Sequence, residues 1–531
     1  MKNKNSRMSY FVNLFFPALV FGAMSGTLTS IFVVFYKFCA KHIISVSERC
    51  YELLSEYPIL LIIIAALMFG VSFLYAYVYK KHPNLKGGGI PTSISMLRGT
   101  IRFKWIENSF GVFVMSLVTF LFGVPLGNEG PSVQMGTAIG KGCVSMFAKK
   151  RSAWTRYAMT GGACAGFSVA TGAPVSGILF ALEEAHQRIS PMILTVSAVS
   201  VVFAKFTSEI LSPVLGVSPR LFPSFSLSEI SFSDMWIPVL IGATVGIMAV
   251  IFLKYYRLIS RLANKTAKNV PSYLKIFLVF LLTLVAGAVS YSFISTGHEL
   301  ISGLFEVRYG IVMLILLLVV RTTITLCANT CGITGGIFLP ILALGALLSS
   351  VIAMICTQMF SLSGELYTVM LVLGITACIS SMMKMPLTAV IFALEALSCY
   401  ENVLSVIIVA TLSYIITELF EVKSINDSVI EHRERQIEKQ KNKVIDAFVT
   451  VMPSSFAVEK QIRDILWPRN LFVLSVKHSK GSVMDEHGGR ELHEGDILHL
   501  RYSTSDEKYT RQQIISILGE QDFEETESDV V

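Results

Sequence analysis

The segment Gly127-Asn128-Glu129-Gly130-Pro131 places one acidic side chain among glycines, two residues before a proline. Proline is favoured in the first turn of a helix, and neighbouring glycines let the backbone approach a ligand closely. The segment therefore predicts the start of a helix. A carboxylate is stabilised at that position by the positive end of the helix dipole.

The rest of the chain is strongly apolar. Of its 531 residues, 53% are hydrophobic and only 15% are charged, which is more apolar than a soluble domain requires for its core. Stretches long enough to cross about 30 Å of hydrocarbon occur at 9–39, 58–79, 109–126, 193–215, 235–253, 274–296, 310–328 and 403–420. The sequence therefore predicts an all-α polytopic membrane protein.

Two further apolar stretches, 157–185 and 331–398, are interrupted by glycine and proline and are predicted to hold several short helices each. Broken helices are tolerated at membrane depth only where protein or a water-filled cavity satisfies the freed backbone groups. They therefore indicate a permeation path. An ionisable side chain at that depth, such as Glu129, is costly and by default functional.

Basic residues indicate the topology. The first seven residues carry a net positive charge. The apolar run after them is too long for a signal-peptide core, so this run is interpreted as a membrane helix. Basic clusters at 80–104, 149–156 and 254–275 should be cytoplasmic by the positive-inside rule. We therefore expect a multi-pass protein of the plasma membrane with both termini in the cytoplasm. The net charge of +7 is attributed to this topology and not to nucleic-acid binding, because no basic stripe with interleaved aromatics is present.

Signals of enzyme chemistry are not found in the sequence. The nine cysteines are scattered without metal-ligand spacing, so no metal site or disulfide is predicted. The stretch 136–142 approaches a phosphate-binding loop but is one residue short and lacks the final Ser or Thr. It is interpreted as helix packing by small residues. We expect neither an enzyme nor a bound cofactor.

Two more segments share the pattern of Gly127–Pro131, at 87–91 and at 335–340. Each predicted helix start offers unpaired N–H groups and the positive end of a dipole. Several of them converging on one point would bind an anion weakly enough for it to leave again. One such segment alone is an ordinary helix N-terminus, whereas three in one membrane protein predict an anion site.

The membrane part also contains an internal repeat. Residues 162–184 match residues 374–396 at a constant offset of 212, which pairs Glu183 with Glu395. A second match, at an offset of 209, sets 127–136 on 336–345. An odd number of helices between such repeats gives the inverted topology in which secondary transporters bring broken helices together around a substrate.

Apolar character stops near Phe420, and residues 431–443 form a charged, helix-favouring linker. A small soluble α/β domain is predicted after it, with strands at 447–452 and 471–478, helices at 455–466 and 505–518, and a hairpin-like return at 491–502. Packing or dimerisation and ligand sensing both remain open as its role.

The three glycine segments resemble, in order, the signatures GSGIP, GREGP and GIFxP of the CLC chloride channel and transporter family. The doubled glutamate Glu183-Glu184 resembles the family's fourth recurrent stretch. The resemblance is to prokaryotic members and spans roughly residues 10–430, while the tail resembles a TrkA-C-like (RCK C-terminal) regulatory domain. It implies an inverted-repeat CLC anion-transport domain at 1–430, a linker at 431–444 and a cytosolic regulatory domain at 445–531.

The resemblance also implies partners. These are chloride, protons, the lipid bilayer and a second copy of the chain, giving a homodimer with one anion pathway per subunit. A nucleotide or ion is a candidate ligand of the C-terminal domain. Its candidate contacts are the basic residues Lys477, Lys480, Arg490 and Arg501, for which a solvated face is the alternative interpretation.

Site residues follow from the same resemblance. Glu129 matches the gate, whose carboxylate competes with anions and leaves on protonation. Glu184 matches the internal proton-transfer glutamate of exchangers, whereas Glu183 has a repeat partner and is interpreted as structural. Ile337 and Phe338 would offer backbone N–H groups to the central anion.

Three positions depart from the family pattern. Gly88 replaces a serine whose hydroxyl faces the anion, and Asn426 replaces a tyrosine that touches it, although an asparagine amide can still donate. Asn128 replaces an arginine beside the gate. The prediction is chloride transport by H+/Cl− exchange, with a passive voltage- or ligand-gated chloride channel as the alternative. Fluoride and other anions are less favoured, because segment 335–340 has the chloride-type form. A transporter for small organic anions is less favoured because of the three signature motifs together.

Overall fold

The computed structural model of the protein describes residues 2–225, 227–266, 270–360, 364–438, 443–478, 483–484, 489–504, 506–523 and 525–527. The side chains of 149–151 in a predicted cytoplasmic cluster, and the candidate ligand residue Lys480, lie outside the described residues.

The first half of the membrane part contains eight helices among the described residues. They are α1 (Lys2–Glu56), α2 (Ile59–Lys81), α3 (Ile90–Leu97), α4 (Trp105–Leu121), α5 (Glu129–Phe147), α6 (Thr155–Thr171), α7 (Pro174–Phe180) and α8 (Pro191–Val214). A single π-helical turn, Ala181–Ala185, extends α7.

The second half continues the helical pattern. Its described helices are α9 (Trp236–Thr266), α10 (Ser272–Val289), α11 (His298–Glu306), α12 (Ile311–Cys331), α13 (Phe338–Phe360), α14 (Leu366–Met383), α15 (Pro386–Leu397), α16 (Val403–Leu419) and α17 (Ile425–Glu438). Helix α17 runs through position 430, at which the sequence predicted the membrane domain to end.

Eight of the described helices are long and apolar enough to cross a membrane: α1, α2, α8, α9, α10, α12, α13 and α14. The predicted spans at 109–126 and 403–420 are instead the shorter apolar helices α4 and α16. Each has 17 residues, or about 25 Å of helix, less than the hydrocarbon thickness. The prediction of a polytopic, mostly helical membrane protein is confirmed.

Glycine and proline break the helices in the same way in both repeats. Helix α6 ends at Gly172 in the left-handed conformation (φ 74°), and Pro174 begins α7 two residues later. Helix α14 ends at Lys384, also left-handed (φ 62°), and Pro386 begins α15. A left-handed residue ends a helix, and a proline in the first turn starts the next.

Small residues let the central helices approach closely. A Cβ atom on Gly136 of α5 would lie 2.1 Å from the carbonyl oxygen of Gly162 in α6. One on Gly345 of α13 would lie 2.6 Å from the carbonyl oxygen of Gly374 in α14. The interpretation of residues 136–142 as helix packing is confirmed, and the second repeat uses the matching positions for the same contact.

The C-terminal domain is a small sheet with its own apolar core. Its elements are β1 (Lys443–Thr450), β2 (Leu471–Lys477), β3 (Val483–Met484), β4 (Ile497–Thr504), α18 (Glu507–Leu518) and β5 (Glu525–Glu527). The strand order is β3-β2-β4-β1-β5, and every pair is antiparallel.

The helix predicted at 455–466 is wrong. The segment consists of turns and a short 3₁₀ helix, Ile462–Asp464. Ser454 and Glu459 adopt left-handed backbone conformations, with φ of 59° and 60°, which a continuing α-helix excludes. The segment instead forms an isolated antiparallel bridge, in which Gln461 pairs with Glu491.

Candidate functional site

The three glycine segments of the sequence meet at one place in the fold. The N–H of Gly127 donates to the carbonyl of Gly336, and the N–H of Gly336 donates to the carbonyl of Gly127, both at 2.7 Å. A Cβ atom on Gly130 would lie 2.7 Å from the Cα of Gly336, and one on Gly89 would lie 2.0 Å from the carbonyl carbon of Gly130. Only glycine permits such spacing. The starts of α3, α5 and α13 therefore converge on one another.

Glu129 is the first residue of α5 and is fully buried. Its carboxylate folds back over Gly127, where an added Cβ would lie 2.2 Å from Oε2 of Glu129. The backbone amides of Glu129 and Leu339 face the carboxylate, but within the described chain neither carboxylate oxygen has a hydrogen-bond partner. A buried carboxylate without partners is expensive unless nearby dipoles stabilise its charge.

A lysine of the first helix provides the opposite charge. The ammonium of Lys37 donates to the carbonyls of Val169 at 3.1 Å and Ser218 at 3.0 Å. It interacts electrostatically with the Glu129 carboxylate. Sequence reasoning missed this residue, although a lysine inside the apolar stretch 9–39 was a usable signal, since ionisable residues at membrane depth are seldom neutral to function.

Ile337 and Phe338 lie at the start of α13, where backbone N–H groups have no partner within the helix. The Phe338 ring is fully buried and packs edge-on against Phe167 and Phe392, with ring centroids 5.2 and 5.4 Å apart. Phe167 in turn stacks on Phe180. These rings fix the backbone position of the helix start, and they come from both repeats.

Gly88 precedes α3 and offers only backbone atoms to the site. A Cβ atom there would lie 3.3 Å from Oδ1 of Asn329 and 3.3 Å from the carbonyl oxygen of Gly335. Segment 87–91 therefore packs against segment 335–340, and position 88 contributes no hydroxyl to the site.

Glu184 lies in the π-helical turn that follows α7 and is nearly buried, with 6% of its surface exposed. Its Oε1 accepts a hydrogen bond of 2.5 Å from Nδ2 of Asn426, which is the second residue of α17. The structure thus joins Glu184 to Asn426, a contact that the sequence did not indicate. Single π-helical turns occur often at functional sites.

Its neighbour Glu183 has a different environment. The Glu183 carboxylate accepts hydrogen bonds from the N–H groups of Leu387 at 3.0 Å and Thr388 at 2.8 Å, in the first turn of α15. Glu183 is therefore a helix cap, and its interpretation as structural is confirmed.

Helix α3 connects the two groups of site residues. It begins directly after the glycine segment that contacts Gly130, and it also packs against α5, against the turn that holds Glu184 and against α17. The converging starts of α3, α5 and α13 form one site, the helix-start cluster. The Glu184–Asn426 pair is a separate site, and the two share the short helix α3.

The C-terminal domain is docked against the membrane part near Glu184. The hydroxyl of Tyr157 in α6 donates to the carbonyl of Asp464 at 2.7 Å and accepts from the N–H of Leu466 at 3.1 Å. The guanidinium of Arg156 donates to the carbonyl of Trp467 at 2.5 Å. These bonds join the start of α6 to the turn segment of the domain.

Two more arginines complete this contact. Arg188, four residues after Glu184, donates to the carbonyl of Ile465 at 3.2 Å. Arg102, between α3 and α4, forms an ion pair of 2.6 Å with Asp506 and covers the ring of Tyr509 at 3.8 Å. The pKa of the Asp506 carboxyl is lowered, first by its hydrogen bond with Arg102 and then by the N–H of Tyr509.

The basic residues considered for a ligand on this domain have different surroundings. Arg501 pairs with Asp446 on β1, with nitrogen–oxygen distances of 2.8 and 2.9 Å. Arg490 contacts His478, whose other ring nitrogen contacts Asp496 at 2.6 Å. Lys477 is exposed at the end of β2. A ligand role for these residues stays a prediction.

Comparisons with known proteins agree with this geometry. A family model described as "Voltage gated chloride channel" matches residues 69–418. A crystal structure of a slow cyanobacterial Cl−/H+ antiporter is similar with a TM-score of 0.72 and 21% identity, over 79% of this chain and 98% of that chain. At such identity the likeness shows the fold.

Two other solved structures are similar as well. A CLC-type fluoride/proton antiporter gives a TM-score of 0.61 at 18% identity, over 76% of this chain and 96% of that chain. A eukaryotic CLC transporter gives 0.63 at 15% identity, over 97% of this chain and 91% of that chain.

Proposed function

Because the chain belongs to the voltage gated chloride channel family, we propose that it exchanges chloride for protons across the membrane, with Glu129 as the gate. The observation that carries this proposal is the buried Glu129 carboxylate, which lies between the starts of α5 and α13 with both oxygens unpartnered among the described residues. A negative group held at helix starts occupies a place that suits an anion.

Protonation of Glu129 links the two transported ions. The ionised carboxylate is attracted to the helix starts and occupies the anion position. Once protonated, it loses that attraction because a neutral carboxyl group interacts far more weakly with the dipoles. It then leaves, and chloride takes its place at the N–H groups of Ile337 and Phe338. Each passage of chloride is in this way tied to a proton on Glu129.

Glu184 supplies the proton from the cytoplasmic side. Its carboxylate is nearly buried, and one of its oxygens has no partner in the described chain. A proton taken up there reaches Glu129 through water. Two similar solved structures, described as a Cl−/H+ antiporter and a CLC-type fluoride/proton antiporter, support the proposal of exchange.

The same proposal covers assembly and location. The chain works as a homodimer in the plasma membrane, with one anion pathway per subunit and both termini in the cytoplasm. Basic loops at 80–104 and the docked C-terminal domain then lie on the same, cytoplasmic side, which agrees with the contact between Arg102 and Asp506.

A passive chloride channel is the second candidate, and Gly88 favours it. Without a side chain at this position, the anion loses one hydroxyl contact, and a weaker site holds the ion for less time between steps. A conductive pathway needs no proton step at Glu184.

Flux from reconstituted liposomes separates the two candidates. Under an imposed chloride gradient, an exchanger moves protons uphill, and Glu184→Ala abolishes this movement while chloride flux continues. Glu401→Ala serves as the control, because it removes an exposed carboxylate that belongs to neither site. Chloride flux without proton movement in the unaltered protein would reject exchange and leave the channel. Fluoride in place of chloride in the same vesicles tests selectivity.

A further inference from the structure

Two buried atoms of the Glu184–Asn426 pair have no hydrogen-bond partner in the part of the chain that is described. One is Oε2 of Glu184 and the other is Oδ1 of Asn426. Their companion atoms, Oε1 of Glu184 and Nδ2 of Asn426, are joined at 2.5 Å. Asn426 is 1% exposed, so bulk water does not satisfy its amide oxygen. Leaving a buried polar atom unpaired is costly, and such an atom requires an explanation.

The chemistry of the two side chains explains why these two atoms are unpartnered. A primary amide donates through its nitrogen and accepts through its oxygen, and a protonated carboxyl group does the same through its two oxygens. The present contact supplies one of the two bonds that a two-point acid–amide pair requires. The missing half is a bond from an O–H on Glu184 to the amide oxygen of Asn426. A single proton on Oε2 would satisfy both unpartnered atoms.

We propose that Asn426 is a positioning residue for proton transfer, which serves both protonation states of Glu184. It donates to the carboxylate when Glu184 is ionised, and it also accepts from the acid when Glu184 is protonated. Glu184 can then take up and release a proton without leaving its place. This inference rests on the proposed role of Glu184 as a proton carrier.

Other charged groups face Glu184 without replacing this partner. Asp427 on α17 and Glu183 on the same turn oppose its negative charge, and Arg98 at the end of α3 favours it. His186 is bonded to Thr160 of α6, and Arg156 and Arg188 lie beyond it toward the C-terminal domain. Among the described side chains, only Asn426 forms a hydrogen bond with Glu184.

Infrared difference spectra recorded on a change of pH test this inference on the full-length protein. The carbonyl stretch of protonated Glu184 is identified by its loss in Glu184→Gln. In Asn426→Leu, which removes donor and acceptor at similar size, this band should move to higher frequency. Proton flux should fall about tenfold or more. Asn426→Gln, which keeps the amide, should restore part of both.

The control is Ser428→Ala, on the same helix, whose hydroxyl bonds the carbonyl of Ser424 at 2.8 Å. It should leave the band unchanged. A band with the same frequency in Asn426→Leu as in the unaltered protein would overturn the inference. If Asn426→Leu does not fold, the unaltered protein still decides, because a Glu184 band at the frequency of a free carboxyl group contradicts the pair.

The two proposals fail separately. If the band responds to Asn426 while the unaltered protein moves no protons, the acid–amide pair stands and exchange is rejected. If the protein moves protons and the band ignores Asn426, exchange stands and the positioning role is rejected.

Discussion

The carboxylate of Glu183 caps α15 and the carboxylate of Glu395 caps α7, so that each repeat closes the first turn of a helix in the other. Glu183 accepts from the N–H groups of the second and third residues of α15, at 3.0 and 2.8 Å. Glu395 accepts from the same two positions of α7, at 2.8 and 2.9 Å. The positions differ by the repeat offset of 212. The two halves are therefore related by an approximate two-fold axis between α7 and α15.

Removing either cap should destabilise the protein to a similar extent. Glu183→Ala and Glu395→Ala each leave two N–H groups and a hydroxyl without an acceptor, which costs about 1–2 kcal/mol for a helix cap. Thermal unfolding of the purified protein should therefore begin at a lower temperature in both variants. Glu401→Ala, at an exposed position, is the control. A large effect of one cap and none of the other would contradict the symmetry.

Replacing the gate should uncouple the two ions. Glu129→Gln is neutral at every pH, so it cannot be drawn to the helix starts or carry a proton. We expect chloride flux that no longer depends on pH and proton flux below detection, measured in the same liposomes. The matched control is Glu107→Gln, an exposed carboxylate on α4 that pairs with Lys104. Coupling that survives in Glu129→Gln means that another residue is the gate.

Lys37 should strengthen the interaction of anions with the pathway. Its ammonium acts electrostatically on the position that Glu129 occupies, and removal of one charge is worth about 1 kcal/mol, or roughly fivefold, at a partly solvated site. In Lys37→Gln we expect chloride flux at limiting chloride to fall by that factor, whereas Lys37→Arg should retain it. The difference should shrink at high ionic strength. Equal flux in the glutamine and lysine proteins would exclude the electrostatic role.

Docking of the C-terminal domain should weaken in acid. The pKa of Asp506 is lowered by Arg102, so the ion pair contributes to docking above the usual pKa of an aspartate. That contribution is lost as the pH falls through the lowered value. Hydrogen exchange in α18 should therefore increase at acid pH. Asp506→Asn removes the charge that pairs with Arg102, so it should show the increase already at neutral pH. Because asparagine can still cap α18, this increase reports the loss of docking and not the loss of the cap.

The control for this prediction is Asp522→Asn. Asp522 pairs with Arg511 inside the C-terminal domain and makes no ion pair with the membrane part among the described residues. Its replacement should leave exchange at the docking surface unchanged at both pH values. An identical response of the two variants would show that the domain is loosened as a whole and that docking is not the cause.

The helix-start cluster was predictable because its signals are local. Glycine and proline mark each helix start within five or six residues, and the internal repeat pairs Glu183 with Glu395 in the sequence alone. The Glu184–Asn426 contact was not predictable, because its residues are 242 positions apart and an asparagine carries no signal of its partner. Segment 455–466 was misread as a helix because its apolar spacing fits one, while the left-handed residues at 454 and 459 gave no clear signal.

The convergence of Gly89, Gly130 and Gly336 has an evolutionary consequence. The narrowest contact of the site is built from main-chain atoms. A side chain introduced at any of these glycines would push the helix starts apart, so substitution there cannot change the charge or size of the site while keeping its shape. We therefore expect variation in ion preference among proteins of this architecture to arise at neighbouring positions, such as 88 and 128. The glycines define where an ion can be held, and those neighbours are left to decide which one.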